Sequence, residues 1–194
     1  MTVSHYQCWM SVAVGNACML DPLEGMDRSY ELLKGIPQSG RFPSTALFRM
    51  SANYPKDIGL TDSLANVNEL LVASRRLKEF LEARKLPNLE YLAVSVLDHK
   101  GRVASNEYFL VHPIQPQDCL DLQASNPRYN KINPSLISRV DELVIDVSKI
   151  TPGVGLFRLA GFGKPLIIHR ELATEISQAG FVGPVFIELN RYGK

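Results

Sequence analysis

The sequence repeats itself once. LLVASRRLKEFLEARKL, from Leu70, and PLIIHRELATEISQAGF, from Pro165, align at a constant offset of 95 residues. Leu71 matches Leu166, Val72 matches Ile167, Arg75 matches Arg170, Leu77 matches Leu172, Leu81 matches Ile176 and Leu86 matches Phe181. In each copy a short apolar run meets a Ser-Arg or His-Arg junction and continues into apolar residues at helical spacing. The Ser74 hydroxyl can accept from the unpaired amides of a first helical turn, and His169 stands at the matching place. Two copies are too few for a solenoid, in which three or more units stack to bury a continuous face. They fit instead as two strand–helix–strand units on one shared sheet, each burying an apolar helix stripe. The expected fold class is α+β: a mixed, largely antiparallel sheet with two amphipathic helices.

The rest of the chain supplies strands and punctuation. Residues 1–20 read as a first strand and a turn, because His5, Gln7 and Asn16 interrupt the apolar residues and no basic segment precedes them. No window approaches the roughly 18 apolar residues of a membrane span. Residues 21–60 carry eight Pro and Gly residues at 22, 25, 35, 37, 40, 43, 55 and 59, which predicts loops with a short helix at Met26–Leu33 and a strand at Ala46–Met50. Pro87 stops the first repeat helix. Leu89–Leu97 alternates like a strand and returns through Asp98–Gly101 as a hairpin with Val103–His112. Four prolines make 113–139 loop-like, with a short strand or turn at Asp118–Leu122. Strands are expected at Val140–Val147, Leu156–Leu159, Leu166–Ile168 and Val185–Leu189. The second helix, Glu171–Ala179, ends at Gly180. All 194 residues read as one domain: a loop-rich part, 1–60, and a part, 66–194, holding both copies.

Charge narrows the function. With 21 basic and 20 acidic residues the net charge is +1, without the basic excess by which proteins neutralise phosphates or the acidic excess of a nucleic-acid mimic. Nucleic acid and membrane are therefore not expected partners. Within the chain, 107–146 holds six acidic residues against three basic ones, while Ser74–Lys85 holds five basic against two acidic. Such an asymmetry can steer a protein partner. Cys8, Cys18 and Cys119 cannot all pair and show no metal-ligand spacing, so reduced, partly buried thiols in a cytoplasmic protein are expected.

No catalytic centre emerges. His5, His99, His112 and His169 are dispersed, and HExxH, HxH, CxxC and GxSxG are absent. TPGVG at 151–155 and GFGKP at 161–165 are not phosphate-binding loops, since neither joins a strand directly to a helix. Both read as turns. No catalytic, cofactor-binding or metal-binding residue is assigned, and no cofactor. Arg75 and Arg170 recur where a helix begins, against the helix dipole. A carboxylate or carbonyl at a strand end is expected to compensate, which makes their role structural.

Two strings carry a resemblance. EYFLVHPIQPQDCLDLQASN, from Glu107, and ELVIDVSKITPGVGLFRLAGFGKPLIIHRELATEISQAGFVGPVFIEL, from Glu142, resemble polymorphic-toxin immunity protein family eleven. The order of a strand, a Phe-Arg-Leu strand, a strand running into a helix and a closing GF-x-G strand is similar to the end of that family, and the first repeat copy resembles its earlier helix. Members are encoded beside bacterial toxins, frequently predicted nucleases. The resemblance implies a non-enzymatic protein that binds and neutralises a cognate toxin encoded nearby, and it brings no catalytic residues. Loops at 36–58 and 123–135, with Phe42, Tyr54, Arg128 and Tyr129, are the expected contact sites. The competing reading is a small-ligand protein or enzyme with a pocket between the two units, in which His112, Cys119 and a carboxylate would have to converge. A third is an assembly subunit with a large apolar surface.

Overall fold

The computed structural model describes residues 5–193. Six strands form one sheet, in the order β2-β4-β5-β7-β6-β3. In chain order these are β2 (Met19–Leu20), β3 (Leu47–Arg49), β4 (Ser63–Asn66), β5 (Val72–Ser74), β6 (Leu89–Leu97) and β7 (Val103–Pro113). A second sheet, β10-β11-β1-β12, contains β1 (Tyr6–Ser11), β10 (Leu156–Leu159), β11 (Phe162–His169) and β12 (Pro184–Glu188). A separate hairpin pairs β8 (Pro127–Tyr129) with β9 (Ile137–Val140). The helices are α1 (Tyr30–Leu33), α2 (Arg75–Glu82), α3 (Leu122–Ser125) and α4 (Arg170–Gln178). Only the β2–β4 and β3–β6 pairs are parallel, so the mixed, largely antiparallel α+β class holds.

The two copies do not share a sheet. Each is a split β-α-β unit: β7 lies between β5 and β6 and is antiparallel to both, and β1 lies likewise between β11 and β12. A helix crossover joins parallel strands, and in each copy the gap between them is filled by a strand from outside the repeat. β4, β3 and β10 then cover β5, β6 and β11 on their outer sides, and the two units stay in separate sheets.

The copies meet through their faces instead. Side chains alternate along a strand, so Val72 enters a core on the far side of the first sheet, and its counterpart Ile167 enters a core on the far side of the second. Their flanking residues, Leu71 and Ala73 in one copy, Leu166 and Ile168 in the other, enter a common central core. Leu77 and Leu81 of α2 join it with Leu172 and Ile176 of α4. Equivalent positions thus face one another, and each buried Leu or Ile contributes about 1.5–3 kcal/mol. The helix starts behave as expected: Ser74 Oγ accepts from the Leu77 amide (3.3 Å), and His169 Nδ1 from the Glu171 amide (3.4 Å).

Several expectations change. The first strand begins at Tyr6, and residues 1–4 lie outside the described chain. Val140 ends a strand instead of beginning one, and 141–146 carries only an isolated bridge from Ile145 to Leu120. Asp141 and Glu142 are exposed there, and the Asp146 carboxylate turns inward on its own chain to cap the 3-10 turn Val147–Lys149. The stretch 113–139 holds α3, capped by Asp121, and the hairpin. Gly161 is a turn residue with φ +71°, whereas Gly163 lies inside β11 against the end of α1. Cys8, Cys18 and Cys119 are free and buried. No helix among the described residues is long and apolar enough to cross a membrane.

Candidate functional site

The residues that could have formed a catalytic pair are separated by the fold. His112, on β7, is buried and donates Nε2–H to the Ile36 carbonyl at 3.0 Å. Cys119 is fully buried in the far core of the second sheet, among Tyr6, Phe157 and Leu159. Burial, followed by the charge of Asp118, pushes its thiol up to about 11, so it is not a thiolate near neutral pH. His99 meets the Ser51 carbonyl at 3.1 Å in its hairpin loop. Among the described residues no group of three or more His, Cys, Asp or Glu could hold a metal ion.

His112 gives the fold a pH response. Burial holds its imidazole below the ordinary value of 6.5, with Arg158 acting in the same direction and the Ile36 carbonyl and Glu90 opposing. The unfolded chain therefore takes up a proton first as pH falls, and stability present above 6.5 is lost toward the folded value. Chemical denaturation midpoints should fall between roughly pH 7 and 5, and His112→Gln should flatten that slope. An equal slope in both proteins would show that His112 is not the group responsible.

The repeated arginines are structural ties. Arg75 pairs with Glu107 on β7, and Arg170 binds Glu188 on β12 through Nη2 at 2.7 and 2.8 Å. Glu107 sits on the strand next to β5, which leads into α2, and Glu188 one strand further from β11, which leads into α4; each offsets the charge that opposes the dipole. The basic look of Ser74–Lys85 largely disappears on folding, since Arg76 pairs with Asp62, Lys78 with Glu82 and Arg84 with Glu175. Exposed pairs of this kind contribute little stability, yet they remove the charge that could have steered a partner.

Polar groups stitch the two units together. Asp62 accepts from Ser74 Oγ (2.9 Å) at the start of α2 and from the Val182 amide (3.0 Å) beyond α4. Arg76 donates to the Ala179 carbonyl (2.7 Å) at the end of α4. The largest fully buried side chain is Arg158 of β10, 1% exposed. Its Nη1 donates to the carbonyls of Gly163 (2.6 Å) and Lys164 (2.9 Å), and its Nη2 to that of Glu69 (2.8 Å) in the turn between β4 and β5. Burial lowers its pKa from 12.5 to about 10, so it stays a cation at neutral pH. Sequence reading saw only a Phe-Arg-Leu strand there.

Beside this seam lies a cavity of about 580 Å³ between the units, the pocket that the ligand reading requires. Neither His112 nor Cys119 lines it. Its apolar wall includes Trp9, Leu70, Phe162 and Leu166, all buried. Arg139, Lys164 and Arg191 line it as exposed cations, and no ion pair joins any of them among the described residues. Glu69 is the acidic residue in the lining. Of the contact residues expected from sequence, Phe42 is half-buried against the first sheet's outer core and is no exposed anchor. Tyr54 and Tyr129 are about half exposed, at 51% and 50%. Arg128 pairs with Asp141 at 3.4 Å and faces Arg139 across the β8–β9 hairpin, so that hairpin borders the cleft. Ile132, between its strands, is 96% exposed. Arg139, Lys164 and Arg191 escaped sequence reading because no local pattern brings them together.

No match to the chain is found among curated proteins. The family model described as the immunity protein family (Imm11) matches residues 16–191, from before β2 to beyond β12, taking in both repeat units, the buried Arg158 and every cation of the cleft. The chain belongs to the Imm11 immunity protein family.

Proposed function

We propose that this protein neutralises a cognate bacterial toxin in the cytoplasm by direct protein–protein contact and performs no catalysis itself. Membership of the immunity protein family across 16–191 carries the reading. The burial of His112 and Cys119 in different parts of the fold favours it over an enzyme built on that pair. The surface offers what contact requires: an exposed hairpin with Tyr129 and Ile132, and a charged cleft beside it. A stable complex of ordinary size would cover about 800 Å² on each partner.

Co-expression with the product of the neighbouring gene tests this. That product alone should arrest growth, and this protein should restore growth and co-purify with it in a defined ratio. Nuclease activity is the first toxin activity to assay. If the neighbour is toxic and this protein neither rescues growth nor co-purifies, the reading is wrong.

A further inference from the structure

We infer that the cleft between the two repeat units is the toxin-docking site, and that it receives an acidic segment of the toxin bearing an apolar side chain. This rests on the proposed function and names the chemistry of its contact. The cleft has two parts that call for different things. Its wall of Trp9, Leu70, Phe162 and Leu166 is apolar, and a volume of about 580 Å³ has room for one or two large side chains. Its rim carries Arg139, Lys164 and Arg191 against Glu69, an excess of two positive charges.

Those cations share one hollow and are not compensated there by ion pairs. Arg75, Arg76, Lys78 and Arg84 are engaged with Glu107, Asp62, Glu82 and Glu175, whereas the three at the cleft have no ion-pair partner among the described residues. In a chain of net charge +1, three unpaired cations around one apolar hollow form a local positive field that charge compensation elsewhere does not cancel. Such a field raises the encounter rate with an acidic surface and penalises a basic one. The occupant is therefore a carboxylate-bearing segment whose apolar side chain enters the hollow, while Arg139, on the hairpin, joins the cleft to the exposed Tyr129 and Ile132. A nuclease holds nucleic acid in a basic groove, which this cleft would repel. On such a toxin it docks away from the substrate groove.

Trp9 is the sole tryptophan of the chain and lies in the cleft wall. 5-Fluorotryptophan therefore places a single 19F label there. Adding the neighbouring gene's product to the labelled wild-type protein should shift that resonance. In calorimetry, Arg139→Glu/Lys164→Glu/Arg191→Glu should weaken binding by about a hundredfold or more, whereas Lys34→Glu/Lys100→Glu, which lies outside the cleft and outside the contact loops, should bind as wild type does. Because the resonance is read on the wild-type protein, the site stays testable even if the triple variant misfolds. Wild-type binding with an unmoved 19F signal, or a folded triple variant that binds within threefold of wild type, overturns the site and leaves the proposed function standing. Failure of the wild-type protein to bind overturns the proposed function and the site with it.

Discussion

Arg158→Met is expected to destabilise the protein by about 3–5 kcal/mol, read as a drop in the denaturation midpoint at unchanged slope. The guanidinium satisfies three carbonyl oxygens, those of Glu69, Gly163 and Lys164. Methionine can fill much of the volume but donates nothing, and each buried acceptor left without a donor costs about 1–3 kcal/mol. Apolar replacement of a buried ion pair can be neutral when both charged partners go together. Here the partners are backbone and cannot be removed. Arg158 Nε is buried without a hydrogen-bond partner, so the carbonyl cage replaces water only in part, yet removing the guanidinium would leave three carbonyls without their donor. Arg158→Lys should recover only a fraction, because one ammonium cannot match the fixed fork of the guanidinium. Against a total stability of about 5–15 kcal/mol, the methionine variant should sit close to the unfolding threshold. A midpoint equal to wild type would show that the carbonyls find other donors.

Gly163→Ala should be nearly as damaging. A Cβ there would lie 1.8 Å from the Leu33 carbonyl oxygen and 2.8 Å from its carbon. Both are backbone atoms at the end of α1, so no rotamer change relieves the overlap. β11 and the α1 segment must move apart, which also disturbs the Gly163 and Lys164 carbonyls that hold Arg158. A loss of about 3 kcal/mol or more is expected, against the few tenths that alanine gains by restricting the unfolded chain. Gly155→Ala is the control. Its Cβ would meet the Leu86 Cδ2 methyl at 3.4 Å, a flexible side-chain end, and thermal melts should show a change under about 1 kcal/mol. Equal melting temperatures for the two variants would mean that β11 does not press on α1. The Gly163 and Arg158 substitutions share one seam, so their combined effect should fall short of the sum.

These two residues also mark where sequence reading stops. Both repeat helices were legible because their signals are local: an N-cap, apolar positions at helical spacing, a proline or glycine beyond the end. Ser74, His169 and Gly180 act where that grammar places them. Burial of Arg158 depends on Glu69, 89 residues away in the chain, and nothing near Arg158 announces it. Gly163 had a usable sign, since a glycine within a strand pattern marks a close backbone approach, but GFGKP also reads as a turn. The shared sheet failed for a similar reason. Strand periodicity says which face is buried, not which strand is the neighbour, and the insertion of β1 and β7 into the two units has no local signature. Val140–Val147 looked like a strand through its Val, Leu and Ile content, while the exposed Asp141 and Glu142 break the ladder. The cleft cations come from three distant segments and meet only through the fold.

The position of β1 reaches beyond the finished structure. Its residues Gln7–Ser11 pair with β12, and Tyr6–Trp9 pair with β11. A ribosome releases that strand long before its partners. Through most of synthesis the segment holding Cys8 and Trp9, both buried in the end, has neither neighbour available and both edges bare. The second sheet closes only when residues near 188 have emerged. Losing just the final strand would strip one side of the first.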